Sequence, residues 1–150
     1  MTEARTTAER AADVRALLAQ PQTGWLSTAS PKGRAHLIGS TVWWREGQVV
    51  STTVGSTRTA RNLRSTRHAR LALGSTEDAT LLDLEVLEVM PVGEARPELA
   101  DGFAAAAGWD PREISSEWVY VTFRPTRIQA YRGYDEIEGS DVLREGRWLA

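Results

Sequence analysis

The stretch STTVGSTRTARNL, residues 51–63, carries the residue types best suited to chemistry. A β-branched run ends, Gly55 permits a turn, and a helix is predicted over 58–66 with Ser56 or Thr57 as its N-cap. A helix N-terminus presents unpaired N–H groups and a partial positive charge, which together attract phosphate. Ser51, Thr52, Ser56 and Thr57 add hydroxyl donors. Arg58 and Arg61 stand three apart on one helix face and can clamp phosphate oxygens. The same residues also fit an ordinary capped helix with a solvated arginine face, since Arg64, Arg67 and Arg70 continue the spacing. No Gly-Lys-Ser/Thr follows the glycine, so this is not a P-loop.

Charge placement sharpens the choice. Net charge is −2, but residues 32–76 hold eight basic groups against one acid, Glu46, while residues 77–150 hold 16 acids against seven bases. The positive segment implies an anionic partner, nucleic acid or a phosphorylated small molecule. The acidic remainder argues against nucleic acid. The alternative is that the two segments pair across the fold and neutralise each other. Basic residues are almost all arginine, with Lys32 the only lysine, and the alanine content makes a GC-rich genome a sufficient cause.

Other chemistries find little support. The absence of cysteine removes disulfides, thiolate metal sites and thiol catalysis. His36 and His68, the only histidines, show no partner pattern for a metal. Asp83, Glu85 and Glu88 share one predicted strand and read as a solvated edge rather than an acid–base pair. There is no G-x-S-x-G elbow. No apolar run is long enough for a membrane span, and the N-terminus is neither a secretory nor a basic transit segment. A soluble cytoplasmic protein is expected, with no membrane or nucleic-acid partner.

The elements that must position residues 51–63 are mostly strands. Residues 3–20 read as a helix, stopped by Pro21. Strands are predicted at 24–29, 34–45 and 48–53, joined by Ser30-Pro31-Lys32-Gly33 and Arg45-Glu46-Gly47 turns. Two more are predicted at 69–74 and 80–90. In the second, Leu82, Leu84, Val86 and Met90 take the core face, leaving Leu81, Leu87 and Val89 opposite. Trp43 and Trp44 alternate, one toward the core and one toward a pocket or partner. A helix runs from Pro97 to Gly108, anchored by Phe103 and Trp109. Strands follow at 118–123 and 127–132, then a terminal hairpin around Glu145-Gly146. The chain reads as one mainly β (α+β) domain over 1–150, with residues 1–20 as its N-terminal helical segment. Many short antiparallel strands with a few short flanking helices suggest a closed or nearly closed barrel.

The order GWLSTASPKGRAHLIGSTVWW, VVSTTVGSTRTARNLRSTRHARLALG, ELADGFAAAAGWDPR and VTFRPTRIQAYRG with its GRWL ending resembles the pyridoxamine 5′-phosphate oxidase-like superfamily. It is most similar to the small flavin/deazaflavin oxidoreductase branch, from about Gly24 to Trp148. The resemblance implies a split β-barrel and a twofold homodimer with a cofactor, FMN or the deazaflavin coenzyme F-420, between subunits. It implies a phosphate on the segment of Ser56, Thr57, Arg58 and Arg61, with Ser51 and Thr52 at the strand end beside it. His36, Ile38 and Thr41 match the strand along the flavin ring. The implied activity is hydride transfer with a small organic substrate, with no catalytic side chain assigned. The alternative is a non-catalytic binder of flavin, deazaflavin or haem. The chain departs from the common pattern at Thr59, Glu77 and Ser140-Asp141, where relatives carry basic or hydroxyl residues.

Overall fold

In a computed structural model, which describes residues 3–150, eight antiparallel strands share one sheet. They are β1 (Gln22–Ala29), β2 (Ala35–Arg45), β3 (Gln48–Val54), β4 (His68–Ser75), β5 (Asp78–Pro91), β6 (Trp118–Tyr131), β7 (Asp141–Arg144) and β8 (Arg147–Trp148). Their order is β3-β2-β1-β4-β5-β6-β7-β8, and β3 also pairs with β6. That extra pairing closes the first six strands into a barrel and removes their free edges. Two hairpins turn on Glu-Gly pairs: Glu46-Gly47 at φ 51° and 79°, Glu145-Gly146 at φ 51° and 76°. Two consecutive positive φ values match the right-handed twist of the flanking strands.

Alternation along the strands sends Leu26, Val42, Val49, Leu71, Leu73, Leu82, Leu84, Val121 and Phe123 into the barrel, all buried. Two helices add to this core. α1 (Thr7–Leu18) contributes Ala11, Val14 and Leu18. It starts at a capping box: Thr6 Oγ1 accepts from Glu9 N–H at 3.1 Å, and the Glu9 carboxylate accepts from Thr6 N–H at 2.7 Å. α2 (Arg58–Thr66) contributes Leu63. α3 (Pro97–Ala107) ends on Gly108 at φ 79° and covers a second cluster on the outer face of β2, β3 and β6, around Val50, Phe103 and Tyr120. Trp43 packs into this second cluster, while Trp44 packs on the main core and meets Trp148 edge-on at 6.4 Å. A single turn, α4 (Tyr134–Ile137), falls where no helix is expected from the sequence.

Two irregularities correct the simple alternation. Residues 118–131 form one strand, not two, because the β5–β6 register slips between Leu84↔Pro125 and Asp83↔Arg127. Thr126 bulges out, and Pro125, which has no N–H to donate, stays within the strand. A second slip, between Val86↔Phe123 and Glu88↔Thr122, bulges Leu87. Parity reverses beyond it: Val89 returns to the barrel core and Met90 pairs with Tyr120 on the outer side. Arg67 fastens this bulge. It ends α2 in the left-handed region at φ 62°, and its Nη2 donates to the carbonyls of Val86 at 3.0 Å and Leu87 at 3.2 Å.

Candidate anion-binding site

Thr57, not Ser56, is the N-cap of α2. Its Oγ1 accepts from Ala60 N–H at 3.2 Å and donates to the Val54 carbonyl at 2.8 Å. Capping therefore uses this hydroxyl. Arg61 reaches back to the Ser56 carbonyl at 2.7 Å, and Arg64 to the Gly55 carbonyl at 2.6 Å. These two bonds tighten the turn between β3 and α2 over carbonyls that no helix bond uses. Arg58 makes no hydrogen bond or ion pair among the described residues, and it is exposed.

The β1–β2 turn supplies the other wall. Gly33, at φ 81°, donates its N–H to the Ser30 carbonyl at 2.8 Å, and the turn brings Lys32 and Arg34 toward α2. Ser30, Lys32, Gly33, Arg34, Arg58, Arg61 and Asn62 together line a cavity of about 630 Å³. It holds four cationic side chains and no carboxylate. Asn62, buried, donates from Nδ2 to the buried Thr28 Oγ1 at 3.1 Å and so ties helix to hairpin.

Among the described residues no carboxylate forms an ion pair with Lys32, Arg34, Arg58 or Arg61. Of the eight cations in residues 32–76, Arg70 is the one with an ion pair among the described residues, to Asp83 at 3.0 Å. The acidic half pairs largely with its own arginines and those of the N-terminal segment: Arg124 with Glu85, Arg112 with Asp101 and Asp110, Arg127 and Arg144 with Asp141, Arg5 with Glu136. Pairing across the two segments therefore does not account for the positive run.

The remaining residues expected at a site separate by strand face. Ser51 is buried on the inner side, where its hydroxyl pairs with that of Ser40 and donates to the Thr41 carbonyl at 3.0 Å. Thr52, opposite Tyr120, takes the outer side. His36 and Ile38 share the inward parity of β2, and Ile38 packs against the core. Thr41 faces outward into a groove of about 400 Å³ shared with Thr23, Trp25 and Gly39. This groove is a strip of open strand: a Cβ on Gly39 would meet nothing within 4 Å. Trp25 and Leu37 flank it, 60% and 57% exposed.

The positions that depart from the pattern the sequence resembles sit in distinct surroundings. Thr59 is 1% exposed on the inner face of α2, where a cation would be stripped of water. Ser140 and Asp141 are buried. Ser140 Oγ accepts from Gln129 at 3.1 Å, and Asp141 holds Arg127 at 2.8 Å and Arg144 at 2.9 Å. Burial works against the Asp141 charge, but the two guanidinium bonds hold its carboxyl below the usual range. Glu77 lies in the exposed β4–β5 turn.

Lys32, Arg34 and Asn62 were absent from the residues expected at the site. The positive run that begins at Lys32 was the available signal, but only the fold shows that the hairpin meets α2.

No protein-family model matches the chain, and no curated protein matches it. Solved structures do. An F420 reductase superposes with a TM-score of 0.63 at 16% identity, covering 76% of this chain and 94% of that one. A putative pyridoxamine 5′-phosphate oxidase from Listeria innocua gives 0.64 at 15%, covering 82% and 98%. A haem-binding protein from Mycobacterium smegmatis gives 0.62 at 21%, covering 89% of this chain and 57% of that one. The fold is thus the split β-barrel of the pyridoxamine 5′-phosphate oxidase-like proteins. Among the described residues no helix is long and apolar enough to cross a membrane.

Proposed function

We propose that the chain binds the phosphate of a flavin or deazaflavin, FMN or coenzyme F-420, in the cavity between α2 and the β1–β2 turn, and acts as an oxidoreductase. The carrying observation is that Lys32, Arg34, Arg58 and Arg61 line one cavity with no carboxylate among them. That donor set fits a phosphate, which takes paired N–H groups from guanidinium and a point charge from ammonium. When bound, the cofactor supplies hydride transfer to or from a small organic substrate. The chain holds the phosphate and offers the backbone of residues 36–41, bare at Gly39, as a flat surface for a ring. The exposed Trp25 and Leu37 beside that surface support a twofold homodimer, in which a second copy covers them.

The test is titration of FMN, coenzyme F-420 and haemin into purified protein, followed by absorbance and fluorescence. Saturable flavin or deazaflavin binding that inorganic phosphate competes away supports the reading. Haemin binding without either favours the non-catalytic alternative, and binding of none overturns both.

A further inference from the structure

Lys32 is the sole lysine among 18 basic residues, and it stands in the four-cation cavity. Arginine stays charged and serves as an anchor. Lysine can shed a proton and attack a carbonyl carbon. The chain's one side-chain amine thus stands in the cavity that Arg34, Arg58 and Arg61 also line. Lys32 is exposed at the hairpin tip and makes no ion pair or hydrogen bond among the described residues. Nothing in the fold holds its amine away from a ligand.

We propose that Lys32 captures phosphorylated carbonyl compounds as an imine. The proposal rests on reading the cavity as a phosphate site and applies to the protein free of flavin, where the guanidinium groups would hold the compound's phosphate in place of the cofactor's and bring the carbonyl to the amine. The ammonium first gives one proton to solvent. Neutral Nζ then adds to the carbonyl carbon and forms a C–N bond. The carbonyl oxygen leaves as water, taking the two remaining amine protons, and a C=N bond remains. No electrons are transferred.

The experiment compares para-formylphenyl phosphate with para-methoxybenzaldehyde, which lacks the phosphate. Each is incubated with the full chain and cyanoborohydride, whose hydride traps the imine as a secondary amine, and peptides are mapped by mass spectrometry. The proposal expects labelling at Lys32, faster with the phosphate by about tenfold or more, the worth of one charge-assisted hydrogen bond. Inorganic phosphate should suppress it, and Arg58→Ala should remove most of the advantage. Lys32→Arg should lose the label while still binding inorganic phosphate by calorimetry. If phosphate binds but Lys32 labels no faster with the phosphorylated aldehyde, or no faster than the N-terminal amine, the imine proposal is overturned and the phosphate site survives. If inorganic phosphate does not bind the wild type, the site reading fails and the proposal falls with it.

Discussion

Asn62 Nδ2 donates to Thr28 Oγ1 across 3.1 Å, and this buried bond joins the helix carrying Arg58 and Arg61 to the strand that leads into Lys32 and Arg34. Two cationic walls thus keep a fixed spacing. Asn62→Ala removes the link and leaves Thr28 without its donor. Loss of a buried pair of this kind costs about 1–3 kcal/mol. Urea unfolding should show that loss, and FMN affinity should fall in the protein that remains folded. Unchanged affinity would mean that the walls do not act together.

Gly39 faces open space at an ordinary φ, so a side chain there is tolerated by the fold. Gly39→Leu should leave the melting temperature nearly unchanged and weaken FMN and riboflavin alike, because both present the ring to that strip. Ser40 does not serve this test. It is buried against Ser51, and enlarging it would disturb the barrel. Unaltered affinity in folded Gly39→Leu would place the ring elsewhere.

Trp25 and Leu37 test assembly. Trp25→Glu puts a charge on the exposed strip, so a dimer built across it should dissociate. Light scattering at micromolar concentration should give a dimer for the wild type and a monomer for the variant. A monomeric wild type would remove the second copy from the account.

Glu136 should set the acid limit of stability. Its carboxylate accepts from Arg5 N–H at 2.7 Å, Arg5 Nε at 3.1 Å, Arg5 Nη2 at 2.8 Å and Arg132 N–H at 2.8 Å. The Arg5 guanidinium holds its pKa down to about 2, against an ordinary 4.5. A lowered folded pKa means that the stabilisation is fully present above about pH 4.5 and is lost as pH falls toward about 2. Its size is on the order of 3 kcal/mol. Glu136→Gln should lower stability at pH 7 and flatten the decline between pH 5 and pH 2. An equally steep decline in the variant would assign the acid sensitivity to other carboxylates.

Local signals in the sequence predicted most of this structure. The 58–66 helix was legible from Thr57 and the glycine before it, and the Pro97 to Gly108 helix from its terminal residues, because caps act within one turn. The hairpins were legible from Glu46-Gly47 and Glu145-Gly146. The bulge at Leu87 was not, since it depends on pairing with β6 and on Arg67, 20 residues away, filling its carbonyls. Arg67 reads in sequence as one more solvated arginine, yet it supports the sheet. Arg58 and Lys32 are likewise distant in the chain and meet only when β1, β2 and α2 close together. Ser51 and Thr52 are adjacent in sequence but lie on opposite faces of β3, a split that parity alone predicts once the inner face is known.

The most direct test of the phosphate site is the FMN affinity of wild type, Arg58→Ala and Arg147→Ala, with riboflavin as the phosphate-free partner. Arg147 is exposed on β8, outside the cavity, and controls for net charge; Arg67 would not serve, because its loss would free the bulge carbonyls. Arg58→Ala should weaken FMN by roughly 10- to 150-fold, the worth of one charge-assisted hydrogen bond of about 1.5–3 kcal/mol. Arg147→Ala should stay near wild type, and riboflavin should bind all three equally. Equal, small losses of FMN affinity in both variants would contradict the account, leaving the arginines of α2 as a solvated face.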